Sequence, residues 1–331
     1  MILYFNDGYI FGIQEDIDKV LDLLSKEFTV KRLGKVEKFV GCHIIESKKG
    51  DTMWIHQPKL LQHLEHEFGD LTKNLREFKT PAAPKTNIMR PEKTDILLTE
   101  DEQTKYRSGV GMLLYLIKHS RPDLGNAIRE LSKVADGANN AHWKALLRAI
   151  KYTLDTQFLA LRIKPKKEEQ SFSLEGYSDS DYAGDKDTRI SVYGYIIFYN
   201  GAPISWKSKS GKSVTLSSTE AEYFAMSEVV KEIMFAKQVL ESMGIAVQLP
   251  IIVRVDNVGA IYLSKNFALS QRTKHIDIRR HFVREYVEDD IVKIIFVKSE
   301  LNRADPFTKN TTEDVTINNR DLLMDDIRKI T

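Results

Sequence analysis

The sequence has little cysteine, little net charge and no long hydrophobic run. A single cysteine, Cys42, among 331 residues excludes an internal disulfide framework and zinc sites built from paired cysteines. No stretch approaches the roughly eighteen apolar residues of a transmembrane helix, so we expect no membrane partner. The formal net charge of +2, from 49 Lys and Arg against 47 Asp and Glu, excludes a strongly basic or strongly acidic chain. Any contact with nucleic acid must therefore be made by a local patch.

The composition is that of a folded globular protein. Hydrophobic residues make up 42% and charged residues 29% of the chain, which excludes disorder and a collagen-like repeat. At about 150 residues per domain, the length predicts two or three modules. Residues 1–5 have the pattern of a core strand that enters a turn at residues 6–8, without a basic leader. We therefore expect the chain to start inside a larger fold.

Two breaks divide the chain into three predicted segments. Residues 1–80 alternate strand-like and helical patterns, which predicts an α+β region. A proline-punctuated linker opens the second segment, residues 81–168, which is then mainly helical and ends in a charged run. Residues 169–331 are richer in strands. We predict domain boundaries near residues 80 and 168.

The third segment predicts a mixed α/β or α+β domain. Its elements follow the order strand, strand, strand, helix, strand, helix, strand, helix. The predicted positions are strands at residues 176–181, 192–199, 203–206, 251–256 and 291–297, a long helix from Ser217 to about Met243, a basic helix at residues 273–287 and a helical segment after Asn302.

Four carboxylates occupy positions that this order could bring together. Asp179 lies on the first strand, Glu222 near the start of the long helix, Asp256 at the end of the fourth strand and Asp305 on the last helix. Clustered carboxylates need cations to hold them, and oxygen ligands without sulfur suit Mg²⁺ or Mn²⁺. Two such ions, roughly 3.5 to 4 Å apart, are the usual device for hydrolysing phosphodiesters.

The residue pattern decides one choice within this set and leaves another open. Glu220 and Glu222 lie about 200° apart around a helix, so only one of them can face the site. We favour Glu222, because it continues the apolar stripe that should pack on the sheet, whereas Glu220 suits helix capping. Asp179 and Asp181 share one face of a strand, so their spacing does not choose between them.

Five motifs, in order, resemble the ribonuclease H domain of copia-type LTR retrotransposon Pol polyproteins. They are GYSDSDYAGD at residues 176–185, SSTEAEY at 217–223, VDN at 255–257, RTKHIDIR at 272–279 and ADPFTK at 304–309. Motifs upstream resemble the end of the reverse transcriptase of that family. They are LG at residues 33–34, KFVG at 38–41, TP at 80–81, YRSGVGMLLYL at 106–116, RPD at 121–123 and HW at 142–143.

The resemblance implies a fold, an activity and a ligand set. The fold is a ribonuclease H-like five-stranded mixed sheet flanked by helices, preceded by a reverse-transcriptase palm remnant and thumb in residues 1–80 and a helical connection in residues 81–168. The activity is cleavage of the RNA strand of RNA–DNA hybrids with two Mg²⁺, for which Mn²⁺ could substitute. The metal ligands would be Asp179, preferred here over Asp181, with Glu222, Asp256 and Asp305. Further implied partners are the missing reverse-transcriptase portion or other Pol products, and the implied location is cytoplasmic particles.

The polymerase part departs from the family pattern. Asn6 and Asp7 occupy the position of the family's Tyr-x-Asp-Asp turn, so an amide replaces the first carboxylate. An amide is a weak Mg²⁺ ligand compared with a carboxylate. We therefore expect no DNA synthesis by this chain alone, and residues 1–168 would at most grip duplex.

Two groups of basic residues are candidates for contact with the hybrid. The first group lies on or beside the basic helix and comprises Arg272, Lys274, Arg279 and Arg280. The second group is predicted as a basic loop and comprises Lys207, Lys209 and Lys212. Simple solvation of these charges is the competing interpretation. A rival to the nuclease is a decayed or domesticated remnant that binds nucleic acid without catalysis, favoured by Asn6 and by the bulky Tyr193 in the second strand.

Overall fold

The computed structural model describes residues 2–4, 7–10, 12–166, 172–265 and 274–330, and for residues 2–4, 7 and 274–280 it describes the backbone alone. Within these ranges the strands, in chain order, are β1 (Ile2–Tyr4), β2 (Asp7–Tyr9), β3 (Lys38–Phe39), β4 (Cys42–Glu46), β5 (Met53–His56), β6 (Leu159–Ile163), β7 (Leu174–Asp181), β8 (Val192–Tyr199), β9 (Ala202–Ser210), β10 (Ile251–Val255), β11 (Val292–Phe296) and β12 (Met324–Asp326).

The α-helices, again in chain order, are α1 (Gln14–Leu24), α2 (Pro58–Thr72), α3 (Glu100–His119), α4 (Gly125–Ser132), α5 (Asn140–Asp155), α6 (Ser218–Ser242), α7 (Val258–Lys265), α8 (Lys274–Glu288) and α9 (Glu313–Leu323). No helix in these described ranges is both long and apolar enough to cross a membrane.

The first large sheet is antiparallel and has the strand order β12-β6-β5-β4-β3. A separate antiparallel hairpin, β1 with β2, precedes it, as the strand-and-turn pattern of the first residues predicts. Strand β12 comes from the end of the chain and pairs with β6, so this sheet takes strands from all three predicted segments. The division at residues 80 and 168 stays a prediction.

Four helices, which lie between β5 and β6 in the sequence, form a core of their own. Helices α2, α3, α4 and α5 pack around fully buried side chains that include Leu64, Phe68, Leu113 and Ile150. The sequence pattern places Leu114 on one apolar stripe with Val110 and Leu113, and this prediction is wrong for Leu114, which is 44% exposed. The buried positions of α3 follow a spacing of three and four residues through Val110 and Leu113, which turns position 114 towards solvent.

The second large sheet is mixed and has the strand order β11-β10-β7-β8-β9. Strands β7, β8 and β9 are antiparallel neighbours, while β10 runs parallel to both β7 and β11. The turn between β8 and β9 uses Asn200 and Gly201, both with positive φ, as an Asn-Gly hairpin requires. This sheet confirms the predicted five-stranded mixed sheet, and its order fits a ribonuclease H-like fold.

Both faces of the mixed sheet are covered. Helix α6 packs on one face through Met226, Val229 and Ile233, which confirms the predicted apolar stripe. The other face packs against β6 and β12, and Phe307 lies in that apolar layer. Because both faces are buried, polar groups on the central strands must find partners inside the protein or at a strand end.

Candidate active site

Asp179 and Asp256 lie side by side at the edge where two parallel strands end. Strand β10 pairs with β7 so that Arg254 lies opposite Tyr177. Two residues further along, the same register brings Asp256, which directly follows β10, level with Asp179 on β7. The carboxyl ends of parallel strands meet at one edge of a sheet, where sites are commonly built. Asp179 is 2% exposed, and Asp256 is half-buried.

Helix α6 adds the carboxylate of Glu222 to this pair. Its Oε1 accepts hydrogen bonds from the Ser180 backbone N, at 3.2 Å, and from Ser180 Oγ, at 2.9 Å. Its Oε2 is buried and has no hydrogen-bond partner among the residues that the structure describes. Glu220 points elsewhere, because its carboxylate accepts from the Leu216 backbone N at 2.7 Å, in the capping role predicted for it.

The three carboxylates form one compact cluster. One oxygen each from Asp179, Glu222 and Asp256 lies within 4.8 Å of the others. All the donors are hard oxygens, and within the described part of the chain Glu222 also has one buried oxygen, Oε2, without a hydrogen-bond partner. An unpaired buried carboxylate oxygen is costly, and a divalent cation would satisfy it. The cluster therefore fits Mg²⁺ or Mn²⁺.

The protonation equilibria reflect this crowding. Burial raises the pKa of Glu222 to about 9, and the charges of Asp179 and Asp256 add to the effect. Burial also raises the pKa of Asp179 to about 7; Lys309 and a Thr308 hydrogen bond oppose the increase, while Asp305 and Asp256 reinforce it. Both shifts favour the protonated, neutral forms of Glu222 and Asp179.

Asp305 lies beside this cluster in a different element from the one predicted. It begins a one-turn 3₁₀ helix, Asp305–Phe307, and the last helix, α9, starts only at Glu313. The prediction that Asp305 lies on the last helix is therefore wrong. Pro306 supplies no backbone N–H and favours a short first turn, so the ADPFTK motif forms a tight turn next to β7. A hydrogen bond from Asn302 Nδ2 to the Ser178 carbonyl, at 2.9 Å, fastens the start of this segment.

Lys309 is the site residue that the sequence interpretation missed. Its Nζ lies 2.5 Å from Asp305 Oδ1 and 3.9 Å from Asp179 Oδ2. Burial opposes a charge on this amine, yet the neighbouring carboxylates of Asp179 and Asp305 raise its pKa above the ordinary value. Lys309 therefore acts as an internal cation at the edge of the cluster. The sequence feature that could have identified Lys309 is its position four residues after Asp305.

Asp181 lies on the same strand but outside the compact cluster. It is half-buried at the end of β7, and burial is the main cause that raises its pKa. The turn that follows folds back onto it, with the Gly184 backbone N donating to the Asp181 carbonyl at 3.1 Å. The geometry thus groups Asp179, rather than Asp181, with Glu222 and Asp256.

The predicted basic loop is mostly strand. Lys207 and Lys209 lie on β9, which pairs with β8 along its length, and Lys212 follows the strand. The loop prediction is wrong because the β8 pairing continues to Ser210. Lys209 Nζ forms an ion pair with Glu228 of α6 at 3.0 Å, whereas Lys207 and Lys212 are exposed.

The other predicted basic and polymerase positions are only partly described. Lys274, Arg279 and Arg280 lie on α8, but their side chains are outside the described residues. Arg272 and Asn6 lie outside the described residues altogether, and Asp7 is described only as the first residue of β2. Their predicted roles stay predictions.

Tyr193 is accommodated next to the cluster. Its ring is 5% exposed and packs edge-to-face on Phe224 of α6, with ring centroids 6.2 Å apart. Ala221 and Ala225, which flank Glu222 and Phe224 on the helix, complete this small apolar cluster. The bulky ring thus supports the helix that carries Glu222.

Comparisons with known proteins extend over most of the chain, although no family model matches it. It is 34% identical over 312 residues to the "Retrovirus-related Pol polyprotein from transposon TNT 1-94" of Nicotiana tabacum, covering 93% of this chain and 23% of that polyprotein. Identity to the corresponding polyprotein from transposon RE1 of Arabidopsis thaliana is 33% over 311 residues, covering 93% and 20%. The chain thus spans less than a quarter of the length of these plant relatives.

Two further likenesses concern a shorter relative and a solved structure. The putative transposon Ty5-1 protein of Saccharomyces cerevisiae is 30% identical over 217 residues, covering 65% of this chain and 67% of that protein. The structure of LC11-RNase H1, isolated from compost, covers 41% of this chain and 92% of its own, at 15% identity and a TM-score of 0.32, which is too low to carry a conclusion. The sequence similarity to these transposon proteins shows that the chain belongs to the retrovirus-related Pol polyproteins of copia-type transposons.

Proposed function

We propose that residues 169–331 form a metal-dependent ribonuclease H that cuts the RNA strand of RNA–DNA hybrids. The observation that carries the proposal is the oxygen cluster of Asp179, Glu222 and Asp256 at the end of two parallel strands, where one buried oxygen of Glu222 has no partner within the described ranges. The family context supports the same activity, because Pol polyproteins of transposons copy RNA into DNA and so generate hybrids. The cytoplasmic setting implied by the family is part of this proposal.

Some residues of the site would bind the metal ions, and others orient those ligands. Asp179, Glu222 and Asp256 would hold Mg²⁺, and Asp305 would join them when Lys309 moves aside. Bound Mg²⁺ supplies the positive charge that activates water and stabilises the leaving oxygen of a phosphodiester. Ser180 orients Glu222 through two hydrogen bonds, and Thr308 Oγ1 donates to Asp179 Oδ2. Burial of the Asp179 and Glu222 side chains limits their motion and preserves this geometry.

Residues 1–168 have a supporting role in this proposal. The polymerase turn at Asn6 and Asp7 carries one carboxylate where two are needed, so DNA synthesis is not proposed for this chain alone. The first sheet and the four-helix core would hold duplex beside the nuclease, in concert with other parts of a Pol polyprotein.

The activity test is cleavage of an end-labelled RNA–DNA hybrid in the presence of Mg²⁺. We expect cleavage of the RNA strand, with RNA–RNA and DNA–DNA duplexes left intact, and loss of cleavage when Mg²⁺ is chelated. A well-folded protein that cuts no hybrid at any Mg²⁺ or Mn²⁺ concentration would refute the nuclease and leave the remnant that only binds nucleic acid.

Replacing Lys309 should change the metal affinity of the site. Its ammonium competes with a divalent ion for Asp179 and Asp305, so we expect Lys309→Met to bind Mn²⁺ roughly tenfold more tightly. Isothermal titration calorimetry without nucleic acid measures this directly. Lys231→Met is the matched control, because Lys231 is exposed on α6. Equal or weaker Mn²⁺ binding by Lys309→Met would show that the ammonium does not compete.

A methyl group at Gly194 should displace the segment that carries Asp305. Gly194 lies opposite Asp179 in the β7–β8 pairing, and a Cβ there would lie 2.8 Å from both Phe307 Cβ and Thr308 Cγ2. We expect Gly194→Ala to lower hybrid cleavage roughly 10- to 100-fold, since small misplacements of reacting groups are costly. Gly111→Ala on α3 is the control, because no atom lies within 4 Å of its added Cβ. Full activity of Gly194→Ala would contradict the proposed place of Asp305 in the site.

A further inference from the structure

A groove of about 480 Å³ opens beside the carboxylate cluster, at Asp305 and Lys309. Asp181 and Asp305 line its inner end, together with Lys309. One wall is the loop between β7 and β8, which carries Lys186 and Arg189. The opposite wall comes from the linker, residues 85–87, far away in the sequence. We call this feature the linker groove.

The linker wall is fixed by hydrogen bonds to the nuclease domain. The Lys85 backbone N donates to the Asn310 carbonyl at 2.9 Å, and Asn310 Nδ2 donates to the Thr86 carbonyl at 2.7 Å. On the other side, Asn87 Nδ2 donates to the Gly184 carbonyl at 3.0 Å. The linker therefore spans from Asn310, directly after the ADPFTK motif, to the β7–β8 loop and forms a defined surface.

The outer part of the linker groove is positively charged. Lys85, Lys186 and Arg189 are exposed, and in the part of the chain that the structure describes none of the three forms an ion pair or a side-chain hydrogen bond. Of the two carboxylates that line the groove, Asp305 is already paired with Lys309. Negative charge is thus confined to the inner end, where metal ions would bind.

Other nearby acids are already engaged on the outside of the groove. Asp185 is buried and accepts from Lys133 Nζ at 3.2 Å. Asp187 accepts from the Arg90 backbone N at 2.7 Å. These contacts hold the β7–β8 loop to the preceding module and leave the cations of the groove without a counter-ion from either residue.

We propose that the linker groove binds the sugar–phosphate backbone of the hybrid, with the linker itself as part of the binding surface. Unpaired cations beside hydroxyl and amide groups are the chemistry that recognises phosphates. The 43% exposed ring of Tyr182 and the side chain of Thr312 offer the sugar a flat and a polar contact. The open shape suits a polymer that enters and leaves, rather than an enclosed small molecule. This inference rests on the proposed function and adds that the segment before the nuclease domain supplies substrate contacts.

The test measures hybrid binding separately from cleavage. In an Asp256→Asn background, fluorescence anisotropy gives the Kd of a labelled hybrid at several salt concentrations. We expect Lys85→Gln with Lys186→Gln and Arg189→Gln to weaken binding at least tenfold and to lower the slope of log K against log salt by about 2 to 3, at roughly 0.7 to 0.9 per phosphate contact. Lys85→Gln alone should lower the slope by about 1. Lys231→Gln is the control and should change neither quantity.

Each outcome decides a separate point. If the triple variant binds the hybrid within twofold of the parent protein, with the same salt slope, the groove is not the binding site. If the triple variant weakens binding but Lys85→Gln alone changes neither the Kd nor the salt slope, the linker does not contribute to binding. If the parent binds no hybrid, the inference fails outright. If the protein with Asp256 intact cuts no hybrid while the groove variants still weaken binding, the proposed function fails and the binding site stands.

Discussion

Glu222→Gln is expected to abolish hybrid cleavage and, at the same time, to stabilise the metal-free protein at alkaline pH. The amide keeps the shape of the side chain but removes the charge that a metal ion requires, so we expect at least about a 10³-fold loss of cleavage. Without a metal, the ionised carboxylate of Glu222 destabilises the folded protein, because a buried charge next to Asp179 and Asp256 is unfavourable. The same substitution thus has opposite effects on activity and on stability.

The sign of the stability effect follows from the direction of the pKa shift. Burial raises the pKa of Glu222 in the folded protein to about 9 from the ordinary 4.5. Between these values the folded state binds more protons than the unfolded state, so the free energy of unfolding falls as pH rises from about 4.5 to about 9. Below pH 4.5 the carboxyl group is protonated in both states and adds no pH dependence. A glutamine at this position does not ionise, so the variant does not lose stability in this way as pH rises.

Thermal unfolding in EDTA at pH 5 and pH 8 measures the effect. We expect Glu222→Gln to raise the melting temperature at pH 8 by on the order of 5 °C relative to wild type, and by less at pH 5. Glu220→Gln is the matched control two residues away, because its amide oxygen can still accept from the Leu216 backbone N. The control should keep cleavage. A Glu222→Gln protein that cuts within tenfold of wild type, or that melts lower at pH 8, would contradict this account of the cluster.

We expect Asp123→Ala to cause a large loss in the free energy of unfolding. Asp123 forms a two-pronged ion pair with Arg121, and the side chains are 2% and 1% exposed. Tyr152 also donates its hydroxyl to Asp123 at 2.9 Å. Removing the carboxylate leaves a buried guanidinium without its counter-ion, which costs about 3–5 kcal/mol. Urea unfolding of both proteins measures the difference.

The control for Asp123 is an exposed ion pair. Arg90 and Asp136 lie 3.6 Å apart with side chains 53% and 79% exposed, so Asp136→Ala should change the free energy of unfolding by less than about 1 kcal/mol. A loss below 1 kcal/mol for Asp123→Ala as well would show that the buried pair does not hold the helical core to the turn after α3.

The helix of the site could be predicted from the sequence because helical periodicity is strong and local. The 3.6-residue period separated Glu222 from Glu220, and the structure puts the first in the cluster and the second at the helix cap. The strand period could not separate Asp179 from Asp181, because both residues share a face. The register of β7 against β10 and the depth of burial separate them, and neither is encoded locally.

The features that could not be predicted depend on contacts between distant parts of the chain. Strand β12 is three residues long and forms only because β6, far earlier in the sequence, offers an edge to pair with. The linker wall likewise exists only through its hydrogen bonds to Asn310 and Gly184. Lys309 was visible in the motif, but its role depends on the tight turn that brings it back to Asp305 and Asp179.

The most direct test of the central claim compares wild type with Asp256→Asn on one end-labelled RNA–DNA hybrid, with Mg²⁺ and at matched protein concentration. Asp256→Asn keeps the acceptor for Ser299 Oγ, which lies 2.8 Å from Asp256 Oδ2, while it removes the charge. The account predicts that wild type cuts the RNA strand, leaving 5′-phosphate and 3′-hydroxyl ends, and that the variant folds but does not cut. Equal cleavage by both proteins, or no cleavage by folded wild type, would contradict it.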